Sequence, residues 1–361
     1  MFMPVPVYSE SHAVARHAGQ LAGLGHHALI VTGQRSAVQC GALADVLQVL
    51  ESAQVRYTIF DHVEENPPVS TVWSASRLGI REGADCVIGI GGGSPLDAAK
   101  AIAYLMAHPQ NEAASLYVPG DDTAVPLALI PTTCGTGSEV TAVSVLTLTE
   151  LQTKKSISHR IFADLALIDG RYLRSAPLSL LRNTALDALT HIVESILNTH
   201  ADDFSRMYAV SGLHLWSRNR YVLENGQASD TQLQEMMNAS AMAGMSIAQT
   251  GTGIPHALSY SLTIRSGIPH GKAVGYFTAG YLKEADAHER SMLLQGMGFE
   301  DLHAFQEWYI RLYGRTEAGE QLLSDAVDAL WDNPLKLGTA PFAVERETLR
   351  RIAFLTSQWS S

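Results

Sequence analysis

CVIGIGGGSPLDAAK, residues 86–100, decides the architecture of this chain. Its opening apolar run is too short for a helix and reads as a strand covered on both faces. Gly91, Gly92 and Gly93 then allow backbone amides to approach a ligand closely. Pro95 suits the first turn of the helix that follows, where an amide hydrogen would have no helical partner anyway. A helix that starts behind a glycine turn offers unpaired N–H groups and the positive end of its dipole, a natural seat for a pyrophosphate. The motif is neither GxGxxG nor a Walker loop, because no Gly-Lys-Ser/Thr follows. Taken alone, it is also what a tight strand-to-helix turn in any α/β protein looks like.

The same alternation continues on either side. Ala28–Thr32 (ALIVT), Tyr57–Phe60 and Leu127–Ile130 (LALI) read as strands. Val38–Ala53 reads as an amphipathic helix, Val72–Leu78 lies in another, and Pro95–Met106 forms a third. Strands alternating with helices signal a parallel, doubly wound sheet. From Thr141 to Ile168 the chain looks extended, with TAVSVLTLT and LALID as strands. Beyond Leu173 helical periodicity takes over, in Leu180–Asn198, Phe204–Val222 and Thr231–Ile247. RYLRSAPLS supplies turn chemistry and a helix cap, so a boundary is expected near Tyr172 to Ala176, giving domains 1–173 and 174–361.

A second loop, PTTCGTGSEVT at 131–141, also follows a strand directly. Its hydroxyls and glycine amides could surround a diphosphate or a ribose, at the strand end where open α/β sheets bind ligands. Two such loops favour a dinucleotide over a mononucleotide. The strand that ends at Thr32 is followed by Gly33, Gln34, Arg35 and Ser36. An acid there would accept the ribose 2′-OH of NAD, whereas an arginine and a serine suit the extra phosphate of NADP. NADP(H) is therefore expected over NAD(H), with Gly33 and Ser36 at the adenosine end. A plain surface turn is the competing reading.

The second half carries another chemistry. Asp187 and His191 in LDALTHIVES share one helix face at i, i+4. His256 and His270 each follow an identical Gly-Ile-Pro tripeptide, at 253–255 and 267–269. Alone, Asp187 and His191 would more often be an ordinary helix pair. The repeated glycine-proline segments, which fix backbone direction before each histidine, tip the balance toward a metal. One carboxylate and three neutral imidazoles suit Fe²⁺, Zn²⁺ or another divalent cation, with a position left open to polarise a substrate oxygen.

Composition limits the partners. Of 361 residues, 46% are hydrophobic and 17% charged, which is globular and core-rich. A net charge of −11 opposes a nucleic-acid partner, because phosphates need a basic surface. No run approaches the roughly 18 apolar residues of a membrane span. MFMPVPVYSE lacks a basic segment followed by an apolar run, so no secretory leader is expected. Cys40, Cys86 and Cys134 stand at unrelated spacings and read as thiols of a reducing, cytoplasmic compartment. The expected partner is a small oxygenated molecule, and the expected assembly a homo-oligomer, a dimer.

With these motifs in hand, the chain resembles the iron-containing (group III) alcohol dehydrogenases along essentially its full length. GGGSPLDAAK is similar to that family's cofactor loop, PTTCGTGSEVT to its nicotinamide-side loop, and DALTH with His256 and His270 to its metal-binding set. The resemblance implies a Rossmann-like N-terminal domain with a parallel sheet and an all-α C-terminal domain, the dehydroquinate synthase-like architecture, with the active site in the cleft between them. It implies NAD(P)-linked interconversion of an alcohol and an aldehyde or ketone. The cofactor would touch Gly92, Gly93, Ser94 and Asp97 of the first loop and Thr132, Thr133 and Thr136 of the second. Lys155, in TKKSIS, would contact the nicotinamide ribose or remain a solvated lysine. Many members carry His-x-x-x-His at the first histidine segment, the second beside the nicotinamide; here Tyr260 stands there. A phosphonoacetaldehyde reductase and the propanediol and butanol dehydrogenases remain alternatives within this resemblance. Outside it stands a dehydroquinate-synthase-type lyase, which would need more basic residues than Arg265 and Lys272 supply.

Overall fold

The apolar runs of the first half form one six-stranded sheet whose neighbours all run parallel. The computed structural model of the chain describes residues 2–151, 153–315 and 318–358. The strands are β1 (Val7–Ser9), β2 (His27–Thr32), β3 (Arg56–Phe60), β4 (Cys86–Gly91) and β5 (Leu127–Pro131). Next come β6 (Val145–Leu148) and β7 (Thr153–Ser156), a separate antiparallel hairpin, and then β8 (Leu165–Ile168), which returns to the sheet. The sheet order is β1-β8-β5-β4-β2-β3. Successive residues point to opposite faces, and both faces are covered. Leu29, Val31, Val87, Leu127, Leu129 and Ala166 pack with helices Val69–Glu82 and Gly93–Ala107. Ala28, Ile30, Ile88, Ile90, Ala128, Ile130 and Leu167 pack on the other side with helix Ala42–Ser52. That double burial is why the strands are continuously apolar.

The chain runs from β2 outward to β3, then back past β2 to β4 and β5. This reversal is the switch point at which open α/β sheets bind ligands, beyond the carboxyl ends of the strands. Residues 33–36, 91–94 and 132–137 all leave the sheet at that edge, since Thr32 pairs with Ile90 and Gly91 with Pro131.

Several elements differ from the expectation. The helix read as Val38–Ala53 is two, Ser36–Gln39 and Ala42–Ser52, because Gly41 takes a φ of +87° and breaks the ladder. Of TAVSVLTLT only Val145–Leu148 is strand, and Ser138–Val140 before it is a 3₁₀ turn. Phe204–Val222 splits into Asp203–Arg218 and Arg220–Asn225. Asn219 donates its side-chain amide to the Leu215 carbonyl at 2.8 Å, competing with the helical bond there. Proline-flanked β1 pairs only with β8 as an edge strand, the position that tolerates nearby prolines.

Two units result. One holds residues 2–176 with 229–244, and the other residues 177–228 with 245–361. The second is helical among the described residues and includes Leu178–Ile196, Ile254–Ser266, His270–Glu284 and the four-residue helix Pro334–Leu337. No described helix is long and apolar enough to cross a membrane. Residues 229–244 join the sheet-bearing unit through direct backbone approach. Gly170 donates its N–H to the Gln234 side chain at 2.8 Å, and Gly244 packs on Gly137.

A methyl group on Gly244 would lie 2.6 Å from the Gly137 carbonyl oxygen and 2.8 Å from its Cα. Gly244→Ala is therefore expected to destabilise the fold by about 1–3 kcal/mol, the usual cost of overpacking. Urea denaturation checks this; a change below about 0.5 kcal/mol, ordinary for a surface site, would contradict the packing.

Candidate metal centre and cofactor loops

Helix Leu178–Ile196 begins after Pro177 and is buried along most of its second half. Asp187, His191 and Glu194 recur on it at i, i+4 and i+7 and so form one stripe. All three are buried, in a helix whose surrounding positions are Leu, Ile, Val and Ala apart from Thr190 and Ser195. Burying carboxylates is costly unless cations or donors meet them.

The two Gly-Ile-Pro-His segments bring those donors, but by different geometry. In the first, Gly253 caps helix Ile254–Ser266 and His256 is its third residue. In the second, Gly267 ends that same helix with a φ of +64°, Pro269 caps helix His270–Glu284, and His270 is its first residue. His270 reaches the stripe because Gly271 lets the two helix backbones touch. A Cβ there would lie 1.8 Å from the Asn183 carbonyl oxygen.

The Oδ1 atom of Asp187 is the common point. It lies 3.2 Å from His256 Nε2, 3.7 Å from His270 Nε2 and 4.0 Å from His191 Nε2. One ligand atom each from Asp187, His256 and His270 falls within 4.8 Å of the others, as binding one cation requires. His191 stacks on His256 with ring centroids 4.3 Å apart. Tyr260 lies parallel to His270 at 6.3 Å. Burial opposes ionisation of Asp187, but His191, His270 and His256 outweigh it and hold the carboxyl well below the usual range. For His256, burial disfavours the cation, yet Glu194 and Asp187 raise its pKa to about 9. Protons on the imidazoles thus do what a divalent cation would do, and the oxygen–nitrogen donor set fits such a cation.

The cofactor-loop residues lie in the other unit. Helix Gly93–Ala107 has no side chain capping its start. A Cβ on Gly92 would be 3.2 Å from Thr133, and one on Gly93 would be 2.6 Å from Thr136, so the two loops lean on each other. The Thr132 hydroxyl is buried without a hydrogen-bond partner among the described residues, the kind of atom a bound ligand satisfies. Ser94 Oγ accepts the Asn66 N–H at 3.0 Å. Asp97 is occupied internally: it accepts the Ser138 hydroxyl proton and the Val145 N–H. Ser36 opens a four-residue helix beside exposed Arg35, and Gly33 faces only the Val63 carbonyl, 3.1 Å from where a Cβ would sit. Lys155 is exposed on β7, its ammonium 5.2 Å from the Tyr117 ring centroid.

Three buried charged residues beside these sites escaped the sequence reading. Glu194 was signalled by its i+7 spacing from Asp187. Lys100 is fully buried and donates to Ser138 Oγ and the Val143 carbonyl, both at 2.7 Å. Glu139 is buried nearby, and burial pushes its carboxyl up to about 7 against the pull of Lys100.

Comparison with known proteins agrees with both halves. Residues 4–170 match the family model of iron-containing alcohol dehydrogenase, and residues 182–300 match the C-terminal model of the same family. The chain is 33% identical over 281 residues to long-chain-alcohol dehydrogenase 1 of Geobacillus thermodenitrificans, 75% of this chain and 70% of that protein. It is 30% identical to an NADPH-dependent butanol dehydrogenase of Clostridium saccharobutylicum, over 69% of this chain and 65% of that one. The iron-containing alcohol dehydrogenase structure from Thermotoga maritima superposes with a TM-score of 0.90 at 33% identity, covering 99% of this chain and 98% of that one.

The raised pKa of His256 sets a pH dependence. A group held at about 9 in the fold and about 6.5 when unfolded stabilises the fold fully below pH 6.5. That contribution is lost as pH rises through 9. The melting temperature of metal-free protein should therefore fall between pH 6.5 and 9, and metal should flatten the fall by replacing the proton. A metal-free melting temperature that rises over this interval would contradict the assignment.

Proposed function

The chain belongs to the iron-containing alcohol dehydrogenase family, and we propose that Asp187, His191, His256 and His270 hold its divalent metal, Fe²⁺ in the first instance. It is a metal-dependent, nicotinamide-linked alcohol dehydrogenase or aldehyde reductase that acts on a small alcohol or aldehyde. The observation that carries the site assignment is the convergence of buried Asp187 and His256 with half-buried His270 within 4.8 Å. A bound divalent cation supplies Lewis acidity to the substrate oxygen, and a bound nicotinamide gives or takes the hydride.

The residues of the chain supply position and charge. Asp187 contributes the negative charge of the site, and the three imidazoles contribute neutral donors of defined direction. Gly92, Gly93 and Ser94 lie at the start of helix Gly93–Ala107, whose dipole favours a pyrophosphate. The buried Thr132 hydroxyl supports contact with the cofactor from the second loop, which Thr133 and Thr136 complete. Asp97 and Lys100 act beneath the loops, keeping 138–145 tied to the glycine turn. Lys155 reaches the nicotinamide ribose in this reading.

We read the cofactor as NADP(H). Arg35 and Ser36 are exposed beside Gly33, and no acid occupies that turn. A pocket of about 490 Å³ at the ends of β2 and β3, lined by Gln34, Phe60, His62, Glu64 and the hydroxyls of Ser70, Thr71 and Ser74, suits an adenosine. The NADPH-dependent relative is consistent with this choice. The protein is further read as a cytoplasmic homodimer, the reducing compartment suiting the unrelated spacings of Cys40, Cys86 and Cys134.

The test is a panel of small aldehydes assayed with NADPH and NADH in parallel after anaerobic loading with Fe²⁺. Arg35→Ala should raise the KM for NADPH about tenfold, the worth of one charge-assisted contact, and leave NADH unchanged. Preference of the wild type for NADH would overturn the NADP reading. Tyr260→Phe should change kcat by less than about threefold, because the ring that lies along His270 is kept. A positioned proton donor contributes about 10²- to 10⁴-fold, so a hundredfold loss with metal still bound would instead make Tyr260 the proton relay.

A further inference from the structure

Glu194 is fully buried three residues beyond His191; both its oxygens meet His256, and the Lys336 charge also acts on it. Oε1 accepts the backbone N–H of His256 at 3.0 Å, and Oε2 faces Nδ1 of the same residue at 2.5 Å. Gly253 lies directly against this arrangement: a Cβ on it would touch Glu194 Oε1 at an ordinary 3.6 Å and crowd Thr339 Oγ1 at 3.3 Å. Lys336, on helix Pro334–Leu337, fixes the approach by donating to the Thr252 carbonyl at 2.6 Å and the Thr252 hydroxyl at 2.8 Å. Thr252 directly precedes Gly253, so the loop that starts the His256 helix is pinned from outside while Glu194 pins it from inside.

We propose that Glu194 is the positioning residue of the metal centre: it fixes His256 in the Nδ1–H tautomer, so that the Nε2 lone pair is directed at the cation. The inference rests on the metal assignment above. Its chemistry follows from donor counting. An ionised carboxylate only accepts, so the ring nitrogen facing it must carry the proton. The other nitrogen, Nε2, faces Asp187 and gives its lone pair to a cation once its own proton has left. The double grip on backbone and ring also fixes where Nε2 lies, because helix start and side chain cannot move apart.

This arrangement makes Glu194→Gln an informative change. Glutamine has nearly the same shape but one acceptor and one donor end. Its oxygen can keep the His256 backbone N–H, and its NH₂ can then donate to Nδ1. Every hydrogen bond is satisfied, yet the ring is left with its proton on Nε2, pointing at the metal position. A purely structural carboxylate would be replaced without such a penalty, whereas a tautomer-setting one would not.

The experiment measures Co²⁺ and Zn²⁺ affinity by chelator competition, beside the melting temperature of each metal-free protein, for the wild type, Glu194→Gln and Glu194→Asp. The expected result is a 10- to 100-fold loss of affinity in Glu194→Gln, the usual effect of removing a partner behind a metal ligand. The metal-free melting temperature should fall as well, because Glu194 helps to hold the His256 cation, so affinity is read on protein still folded at the assay temperature, and the visible Co²⁺ bands should change in shape. Glu194→Asp keeps the charge but is one methylene short of holding both donors, so its affinity should fall less. It supplies the comparison if the glutamine variant does not fold. Affinity within threefold of the wild type in whichever variants fold would overturn the proposal while leaving the metal site standing. A wild type that binds neither ion tightly would overturn the metal assignment, and this inference with it.

Discussion

Asp187 places an ionised carboxylate on a helix face that water does not reach, and much of the helical unit follows from the need to neutralise it. An isolated buried charge costs many kcal/mol, so partners must converge on it from elsewhere in the chain. His191 comes from the same helix. His256 and His270 come from two later helices, Ile254–Ser266 and His270–Glu284, and neither would arrive without a local device. Gly271 removes the side chain that would keep helix His270–Glu284 away from Asn183. Glu194 draws the first residues of helix Ile254–Ser266 inward by its bond to the His256 backbone. A cluster of this kind is held by its own electrostatics when metal-free and takes a cation with little rearrangement. That is the preorganisation that a Lewis-acid site needs.

The sheet-bearing unit solves a different problem with similar means. Two glycine- and threonine-rich loops are held close to each other, and bare backbone has few handles. Gly92 and Gly93 allow the approach to Thr133 and Thr136, and a buried polar network beneath supplies the grip. Lys100 is at its centre, bonded to Ser138 and to the Val143 carbonyl, with Asp97 3.5 Å away. Burying a lysine lowers its pKa, and Asp97 and Glu139 counter that loss. The price of this network is charge in the core, which is tolerable only because nearly every donor has an acceptor.

The residues that were legible in the sequence are those whose signal is periodic or local. Continuous apolar runs marked β2, β4, β5 and β8 because both faces of the sheet are covered. The i, i+4 spacing of Asp187 and His191 marked one side of the buried Asp-His cluster. Glu194 repeated that spacing at i+7, but a glutamate on a helix is ordinary, and only its burial distinguishes it. The Gly-Ile-Pro repeat drew attention to His256 and His270, which both approach Asp187, yet it suggested equivalence where one glycine starts a helix and the other ends it. The breaks at Gly41 and Asn219 depend on a single φ and a single side-chain bond, which periodicity does not carry. Lys100 and Asp97 look like surface residues in a one-dimensional pattern. Their role appears only when the 138–145 segment folds over them.

The central claim is that Asp187, His191, His256 and His270 form the metal centre of this dehydrogenase. Crystals grown anaerobically with Fe²⁺, with anomalous diffraction collected at the iron absorption edge, test it most directly. The account predicts one strong peak within coordinating distance of Asp187 Oδ1 and of Nε2 of His256 and His270, with His191 completing the set. A principal iron peak elsewhere in the chain, in protein whose turnover depends on that iron, would contradict it.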